Sequence, residues 1–180
     1  MKHKQLFKPN NGSIISVLLI LLVLFFTQTI KSQTPSDFSG KWEFDKAKSD
    51  KEETGDASFD GIIILGITQN SSTITFTNTY TIPGTVPYVL EPDSYFLDGR
   101  VTSDNSGTGP AKKFVKWSQD KKIITISLVM TDKIDGVSQD FLTALTYKLS
   151  ADGQTLTIEE FHKSKLNGEQ TIKKLYKRKS

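Results

Sequence analysis

The sequence predicts an all-β protein in which a single domain forms an antiparallel up-and-down (meander) β-barrel. The chain has 180 residues, a length that one domain accommodates. Beyond residue 33, apolar and polar residues alternate over short runs, and no window keeps a helical period. Asp–Gly and Asn–Gly pairs separate several of these runs, and such pairs favour the tight turns that join neighbouring antiparallel strands.

Residues 1–32 are predicted to be an export signal. Lys2, Lys4 and Lys8 make its start positive, residues 14–26 form an apolar run, and a polar stretch follows. The run has 13 residues, fewer than the roughly 20 that cross a bilayer, so cleavage before Gln33 is preferred over retention as a membrane anchor. We therefore expect residues 33–180 to form the barrel domain of a secreted or periplasmic protein, with no stable membrane span after cleavage.

Composition excludes several classes of function. Loss of Lys2, Lys4, Lys8 and Lys31 with the signal reduces the 23 basic residues to 19, against 20 acidic ones, so a nucleic-acid partner is not expected. The absence of cysteine excludes disulfides, thiolate metal sites and lipid attachment to an N-terminal cysteine. Two histidines, His3 and His162, cannot form a multi-histidine metal site. No cofactor is expected.

Strand faces follow from the alternation. In "STITFTNTY", side chains on one face are mostly apolar or aromatic and those on the other are threonines. Two later runs, "KIITISLVM" and "QDFLTALTYKL", alternate in the same way. The inward faces predicted for the three runs are Ile74, Phe76, Asn78 and Tyr80; Ile124, Ile126, Leu128 and Met130; and Phe141, Thr143, Leu145, Tyr147 and Leu149.

Turns and interruptions set the strand count. Four pairs are expected to form tight hairpins: Asp98–Gly99, Asp135–Gly136, Asp152–Gly153 and Asn167–Gly168. Three segments break the pattern. Residues 45–60 are predicted to be a loop or a short exposed helix, the proline-containing residues 82–92 cannot form a central strand, and residues 103–111 are predicted to be a loop. We expect the three segments to lie at a variable mouth of the barrel. The intervals between them leave nine or ten short strands.

The stretch "FSGKWEF" at residues 38–44 contains Gly40 and Trp42 and resembles the Gly-x-Trp motif on the first strand of the calycin superfamily, which includes lipocalins, fatty-acid-binding proteins and avidins. The opening through Ser49 is also similar to that of small secreted bacterial lipocalin-like proteins. The resemblance implies a barrel plugged at one end by Trp42, with Gly40 allowing the strand to bend. It further implies that an arginine lies over Trp42, and Arg178 of the last strand is preferred to Arg100, which directly follows the Asp98–Gly99 turn.

The last strand, "TIKKLYKR", resembles the closing strand of fatty-acid-binding proteins, where an Arg-x-Tyr pair meets a ligand carboxylate. The matching positions here are Lys174 and Tyr176, and lysine would hold an acid as a point charge and not through arginine's planar fork. The alternative is a solvated lysine beside a core tyrosine.

These observations predict an exported lipocalin-like protein that binds a small apolar ligand, with a carboxylate on that ligand as one option. The alternative is a barrel with a filled interior that acts as a protein-interaction or inhibitory module through its long loops, so a protein partner stays open. The candidate ligand-binding residues are Lys174, Tyr176, Tyr147, Tyr80, Asn78, Trp117 and His162, and the candidates for structural closure are Gly40, Trp42 and Arg178.

A weaker alternative is an enzyme. Glu160 and His162 share a strand face and could meet Asn78 and Tyr80 at the barrel mouth as an acid–base group. Polar residues at strand ends more commonly mark a solvated rim, and the chain has no nucleophile elbow or phosphate loop. We therefore assign no catalytic residue.

Overall fold

The chain folds into one antiparallel β-sheet of eleven strands, seen in a computed structural model that describes residues 34–51, 56–104, 110–134, 137–166 and 168–180. The predicted signal, residues 1–32, lies outside the described residues and stays a prediction. Residues Thr34–Ser180 belong to one compact unit. Within the described part of the chain, no helix is long and apolar enough to cross a membrane.

The strand bounds are β1 Gly40–Phe44, β2 Ile62–Gln69, β3 Thr73–Thr81, β4 Tyr88–Val89, β5 Asp93–Phe96, β6 Thr102–Asp104, β7 Ala111–Trp117, β8 Ile123–Ile134, β9 Val137–Leu149, β10 Thr155–Ser164 and β11 Gly168–Lys179. A short 3₁₀ helix, Asp56–Ser58, lies between β1 and β2. The strands are hydrogen-bonded in the order β4-β3-β2-β1-β11-β10-β9-β8-β7-β6. In addition, β5 pairs with residues Thr73 to Phe76 of β3.

The predicted all-β class and antiparallel meander are confirmed, whereas the strand count is higher than expected. The extra strands are short: β4 has two residues and lies in the proline-containing segment, and β6 has three and overlaps the predicted loop at 103–111. Both occupy the outermost positions of the strand order. Edge strands tolerate neighbouring prolines because one side of the strand forms no ladder.

Two of the predicted hairpin turns can be judged directly. Asp152–Gly153 lies between the paired strands β9 and β10, and Gly153 has a φ of +67°, which glycine adopts without strain. Asp98–Gly99 was wrong as a tight hairpin, because β5 pairs with β3 and β6 pairs with β7. The Asp98 carboxylate accepts the Arg100 backbone N–H at 3.0 Å, so this turn is stabilised locally. Asp135, Gly136 and Asn167 lie outside the described residues.

The sheet curls tightly around one face. Phe76 on β3 and Tyr147 on β9 have ring centroids 4.9 Å apart, although four strands lie between β3 and β9 in the sheet. In a flat sheet, five strand spacings would separate them by roughly 24 Å. The enclosed face carries the core, which consists of Phe38, Trp42, Leu65, Ile67, Ile74, Phe76, Val115, Ile124, Ile126, Tyr147, Leu156, Ile158 and Tyr176.

The two sides of the curled sheet meet where β5 approaches β7. Lys113 on β7 lies 3.2 Å from the Asp93 carboxylate on β5, and its ammonium is 5.6 Å from the centre of the Tyr95 ring. No backbone ladder joins β5 to β7 within the described ranges. Side chains therefore link these two strands.

One end of the enclosed face is covered by the segment that precedes β1. Phe38 and Trp42 are fully buried, and the Trp42 indole N–H donates to the Phe38 carbonyl at 3.0 Å. The segment is held at both sides, because Gln69 at the end of β2 bonds Phe38 and Ser36, while Ser36 also donates to the Lys121 carbonyl. This end is therefore closed by packed aromatic side chains.

Arg178 on β11 covers the outside of the same end. Its guanidinium carbon lies 4.2 Å from the centre of the Trp42 ring, within cation–π range. The guanidinium also donates to the Ser39 and Gly153 carbonyls at 3.0 and 2.9 Å. These bonds fix the arginine against β1 and the β9–β10 turn.

We expect Gly40→Ala to lower the free energy of unfolding by about 2 kcal/mol, since Gly40 has a φ of +137° and a Cβ there would lie 2.7 Å from Arg178 Nη1. Gly153→Ala is the matched control, because Gly153 also has a positive φ but has open space around it. Its cost should be near 1 kcal/mol. Urea titrations would measure both, and equal losses would show that the Arg178 contact is without consequence.

Candidate functional site

A cavity of about 580 Å³ lies inside the curled sheet, away from Trp42. Its walls come from β2, β3, β9, β10 and β11, together with residues 88–95 and Asp56 of the 3₁₀ helix. The deepest lining is buried and comes from the enclosed face: Leu65, Phe76, Tyr147, Ile158 and Tyr176, each no more than 7% exposed. Tyr88 and Glu91 are exposed and form the rim.

Lys174 on β11 occupies one wall between two carboxylates. Its ammonium lies 2.8 Å from Glu160 Oε2 and 3.2 Å from Asp56 Oδ2, and all three side chains are at most 20% exposed. We call these three residues the Lys174 cluster. Strand pairing brings Glu160 close to Lys174. Ile158 on β10 lies opposite Lys174 on β11, and Glu160, two residues further along β10, is on the same face as Ile158. With both carboxylates ionised, the cluster has one excess negative charge.

Hydrogen bonds extend the Lys174 cluster in two directions. The Tyr80 hydroxyl donates to Asp56 Oδ1 at 3.1 Å, and burial together with Asp56 raises the pKa of Tyr80 to about 12. On the other side, His162 Nε2 lies 3.0 Å from Glu160 Oε1, and His162 Nδ1 lies 3.2 Å from the Thr143 hydroxyl. Each carboxylate therefore contacts Lys174 through one oxygen and a second partner through the other, Tyr80 for Asp56 and His162 for Glu160.

Two tyrosine hydroxyls at the bottom of the cavity have no such partners. Tyr147 and Tyr176 are 5% and 3% exposed and line the cavity, yet neither hydroxyl forms a hydrogen bond with any described residue. Burial, reinforced by nearby carboxylates, raises the pKa of both tyrosines, so both stay protonated. The Asn78 side chain, also in the lining, likewise has no hydrogen-bond partner among the described residues. These groups are available to a ligand.

The structure brings four of the seven predicted ligand-binding residues together, since Lys174, Tyr176, Tyr147 and Asn78 all line the cavity. Tyr80 contacts the cavity through Asp56 and lines a different depression described below. Trp117 does not belong to the cavity lining and packs against Phe38, with ring centroids 6.2 Å apart.

His162 lies in a separate pocket of about 200 Å³ between β9, β10 and β11. It reaches the cavity wall only through Glu160. The acid–base grouping considered from the sequence is thus divided: Asn78 and Glu160 share the cavity, Tyr80 is bonded to Asp56, and His162 is on the far side of Glu160.

Sequence reasoning missed the acidic residues that come from outside the long strands. Asp56, Glu91 and Asp93 all line the cavity. Asp93 is held by the Tyr95 hydroxyl at 2.5 Å and by Lys113 at 3.2 Å. The available signal was the proline-containing segment 82–92, predicted to lie at the barrel mouth, but no pattern indicated which of its side chains turn inward.

A second depression, of about 650 Å³, lies beside the cavity rim. We call it the outer groove; it is lined by Phe59, Tyr80, Ile82, Thr85, Val86, Tyr88 and Leu90. Tyr88 and Leu90 belong to both the outer groove and the cavity. Val86 is 89% exposed and Tyr88 is 65% exposed. An apolar surface therefore adjoins the open side of the cavity.

Comparison of the chain with protein-family models finds no match, and comparison with curated proteins finds no match either. Among the described residues, no group of three or more metal-ligating side chains is arranged to hold a metal ion.

We expect the protein to lose stability as the pH rises above about 10. The folded state keeps the Tyr80 proton up to a pKa of about 12, whereas an unfolded tyrosine releases its proton near 10.0. The folded state then binds more protons, so its stability falls over this interval. Urea midpoints measured at successive alkaline pH values would show it, and Tyr80→Phe should give a shallower decline. Identical declines would contradict this assignment.

Proposed function

We propose that this protein is an exported, lipocalin-like binding protein whose cavity holds a small apolar ligand. The observation that carries the proposal is the cavity of about 580 Å³, which lies within the range of about 300–1,000 Å³ typical of small-molecule sites. Its deep lining is apolar and aromatic, with a few inward polar groups. That combination is the usual composition of such sites.

Three features favour a closed, lipocalin-like barrel. The ring contact between β3 and β9 requires strong curvature, and the side chains of β5 and β7 meet across the sheet edges. Trp42 and Phe38 fill one end, with Arg178 stacked outside. A barrel filled at one end and hollow at the other would hold one small ligand. The Gly40–Trp42 motif is consistent with the proposed calycin relationship.

The outer groove favours an apolar ligand. Tyr88 and Leu90 form a wall that the groove shares with the cavity, so an apolar molecule could reach the cavity without leaving apolar surface. Contiguous exposed apolar surface is characteristic of binding sites. The signal at residues 1–32 and secretion or periplasmic location belong to the same proposal.

A carboxylate on the ligand remains a prediction from the sequence, and the charges around Lys174 disfavour it. Asp56 and Glu160 already neutralise the ammonium, so it offers no net positive charge to an incoming acid. The structure-based support for the ligand class therefore comes from the apolar lining and not from Lys174.

Titration of the exported protein with an uncharged, environment-sensitive dye such as N-phenyl-1-naphthylamine tests the proposal. We expect saturable binding that Leu145→Trp abolishes, because Leu145 lines the cavity and the larger side chain would fill it. Lys148→Trp is the matched control, since Lys148 is exposed on the opposite face of the same strand. Equal dye binding by both variants would place the dye outside the cavity and refute the proposal.

The second candidate is the protein-interaction module. The exposure of Ile82, Val86, Tyr88 and Val89 favours it, because these apolar side chains lie on one segment of the chain that includes the edge strand β4. In that case Val86→Asp would abolish capture of a protein partner while the Leu145→Trp variant would still capture it. The reverse pattern, with dye binding lost only in Leu145→Trp, supports the ligand-binding function.

A further inference from the structure

We infer that the polar group of the ligand is a protonated amine, which binds at the bottom of the cavity to the Tyr147 and Tyr176 hydroxyls. This inference rests on the proposed binding function and specifies its ligand class. Two independent features lead to it: the excess of carboxylates around the cavity, and two cavity-lining tyrosine hydroxyls that have no partner among the described residues.

The charged side chains of the lining are mainly acidic. Four carboxylates line the cavity, from Asp56, Glu91, Asp93 and Glu160, and Lys174 is the one lysine in the lining. Counting Lys113, which pairs with Asp93, the described carboxylates still outnumber the ammonium groups by two. A bound cation would reduce this imbalance, and a bound carboxylate would increase it.

The two hydroxyls supply the contact atoms. Tyr147 and Tyr176 are more than nine-tenths buried and line the cavity, and neither hydroxyl bonds to a described residue. Both hydroxyl oxygens face the cavity space and lack a partner among the described residues, so they are available to hydrogen-bond a ligand atom. These oxygens can accept hydrogen bonds from an ammonium group.

The electrostatic environment at these hydroxyls also favours a positively charged ligand group. After burial, the next causes of the raised pKa values are carboxylates: Glu160 and Asp93 act on Tyr147, and Asp56 acts on Tyr176. The same groups that disfavour a phenolate would favour an ammonium ion. The aromatic faces of Phe76 and the two tyrosines add a surface on which a cation is attracted to the ring.

The test compares three molecules with the same alkyl chain: decylamine, decanol and decanoate. Each is titrated at neutral pH against the protein carrying N-phenyl-1-naphthylamine. We expect decylamine to displace the dye at least about tenfold more tightly than decanol, and decanoate to be the weakest. Tighter displacement by decanol or decanoate would overturn the amine assignment while leaving the binding function intact. Failure of the dye and all three molecules to bind would refute the binding function itself.

Tyr147→Phe and Tyr176→Phe test the contact residues. Each keeps the ring and removes a hydroxyl that has no partner among the described residues, so the melting temperature should not fall, whereas decylamine binding should weaken about tenfold to a hundredfold. Binding of the uncharged dye is measured beside it, and any loss there should be smaller than the loss of decylamine binding. Two variants guard against one of them misfolding. Unchanged decylamine affinity in both would overturn the role of the hydroxyls.

Glu91→Gln tests the charge at the rim. Glu91 is exposed, and no described residue forms an ion pair or hydrogen bond with it, so its neutralisation should leave stability intact. We expect decylamine affinity to fall about two- to fivefold, by more than any change in decanol affinity. Glu159→Gln, an exposed site on β10 outside the cavity lining, is the matched control and should change neither affinity. Equal effects of both variants would overturn the electrostatic argument.

Discussion

Trp42→Ala is expected to lower the free energy of unfolding by about 3–5 kcal/mol, a large share of the roughly 5–15 kcal/mol of a typical domain. The indole is fully buried, and its N–H satisfies the Phe38 carbonyl at 3.0 Å. The truncation would leave a void beside Phe38 and would remove the hydrogen bond to the Phe38 carbonyl. It would also remove the aromatic ring on which the Arg178 guanidinium stacks. Urea unfolding followed by circular dichroism would measure the loss.

Trp42→Phe provides the graded control. It keeps an aromatic ring beneath Arg178 but loses the indole N–H and some volume, so a loss of about 1–2 kcal/mol is expected. If Trp42→Ala instead retained normal stability and lost dye binding, Trp42 would be a ligand contact and not a core residue. The assignment of this end as the closed one would then be wrong.

Lys174→Met is expected to destabilise the protein by about 2–4 kcal/mol, because it leaves Asp56 and Glu160 facing each other without their shared cation. The value is set below that of a fully buried pair, since both carboxylates are about one-fifth exposed. Thermal and urea unfolding would measure it. Neutralising both acids as well, with Asp56→Asn and Glu160→Gln, should recover much of the loss.

Lys163→Met is the matched control for that variant. Lys163 pairs with Glu169 at 2.7 Å, but both side chains are more than half exposed, so its removal should cost less than about 1 kcal/mol. Equal small effects at the two lysines would contradict the structural role of the Lys174 cluster. If Lys174 instead held a ligand carboxylate, Lys174→Met would weaken fatty-acid binding and spare the matching alcohol, or would stabilise the empty protein by removing a buried charge, and the dye assay and thermal melts measure both.

Residue alternation along the chain predicted the long strands and their faces, but not the short strands β4 and β6. Ile74, Phe76, Ile124 and Ile126 are buried as the period of two requires. The predictions for Asn78 and Tyr147 as inward residues also agree with the cavity lining. Such assignments succeed because a strand's own sequence decides which side chains share a face. The prediction of a tight hairpin at Asp98–Gly99 was wrong because the flanking strands pair with other strands, β5 with β3 and β6 with β7, and a turn sequence alone does not determine strand pairing.

Local periodicity predicted the all-β class and the antiparallel meander, whereas an inward Lys174 beside Tyr176 was one of two interpretations, the other being a solvated lysine. The surroundings of Lys174 depend on the fold, because Asp56 lies 118 positions away in the chain and Glu160 belongs to another strand. The fold also leaves the Tyr147 and Tyr176 hydroxyls without a partner among the described residues. The curvature of the sheet brings these side chains together. The carboxylates of Asp56 and Glu160 make this wall of the cavity acidic, although the resemblance predicted a lysine that binds an acid here.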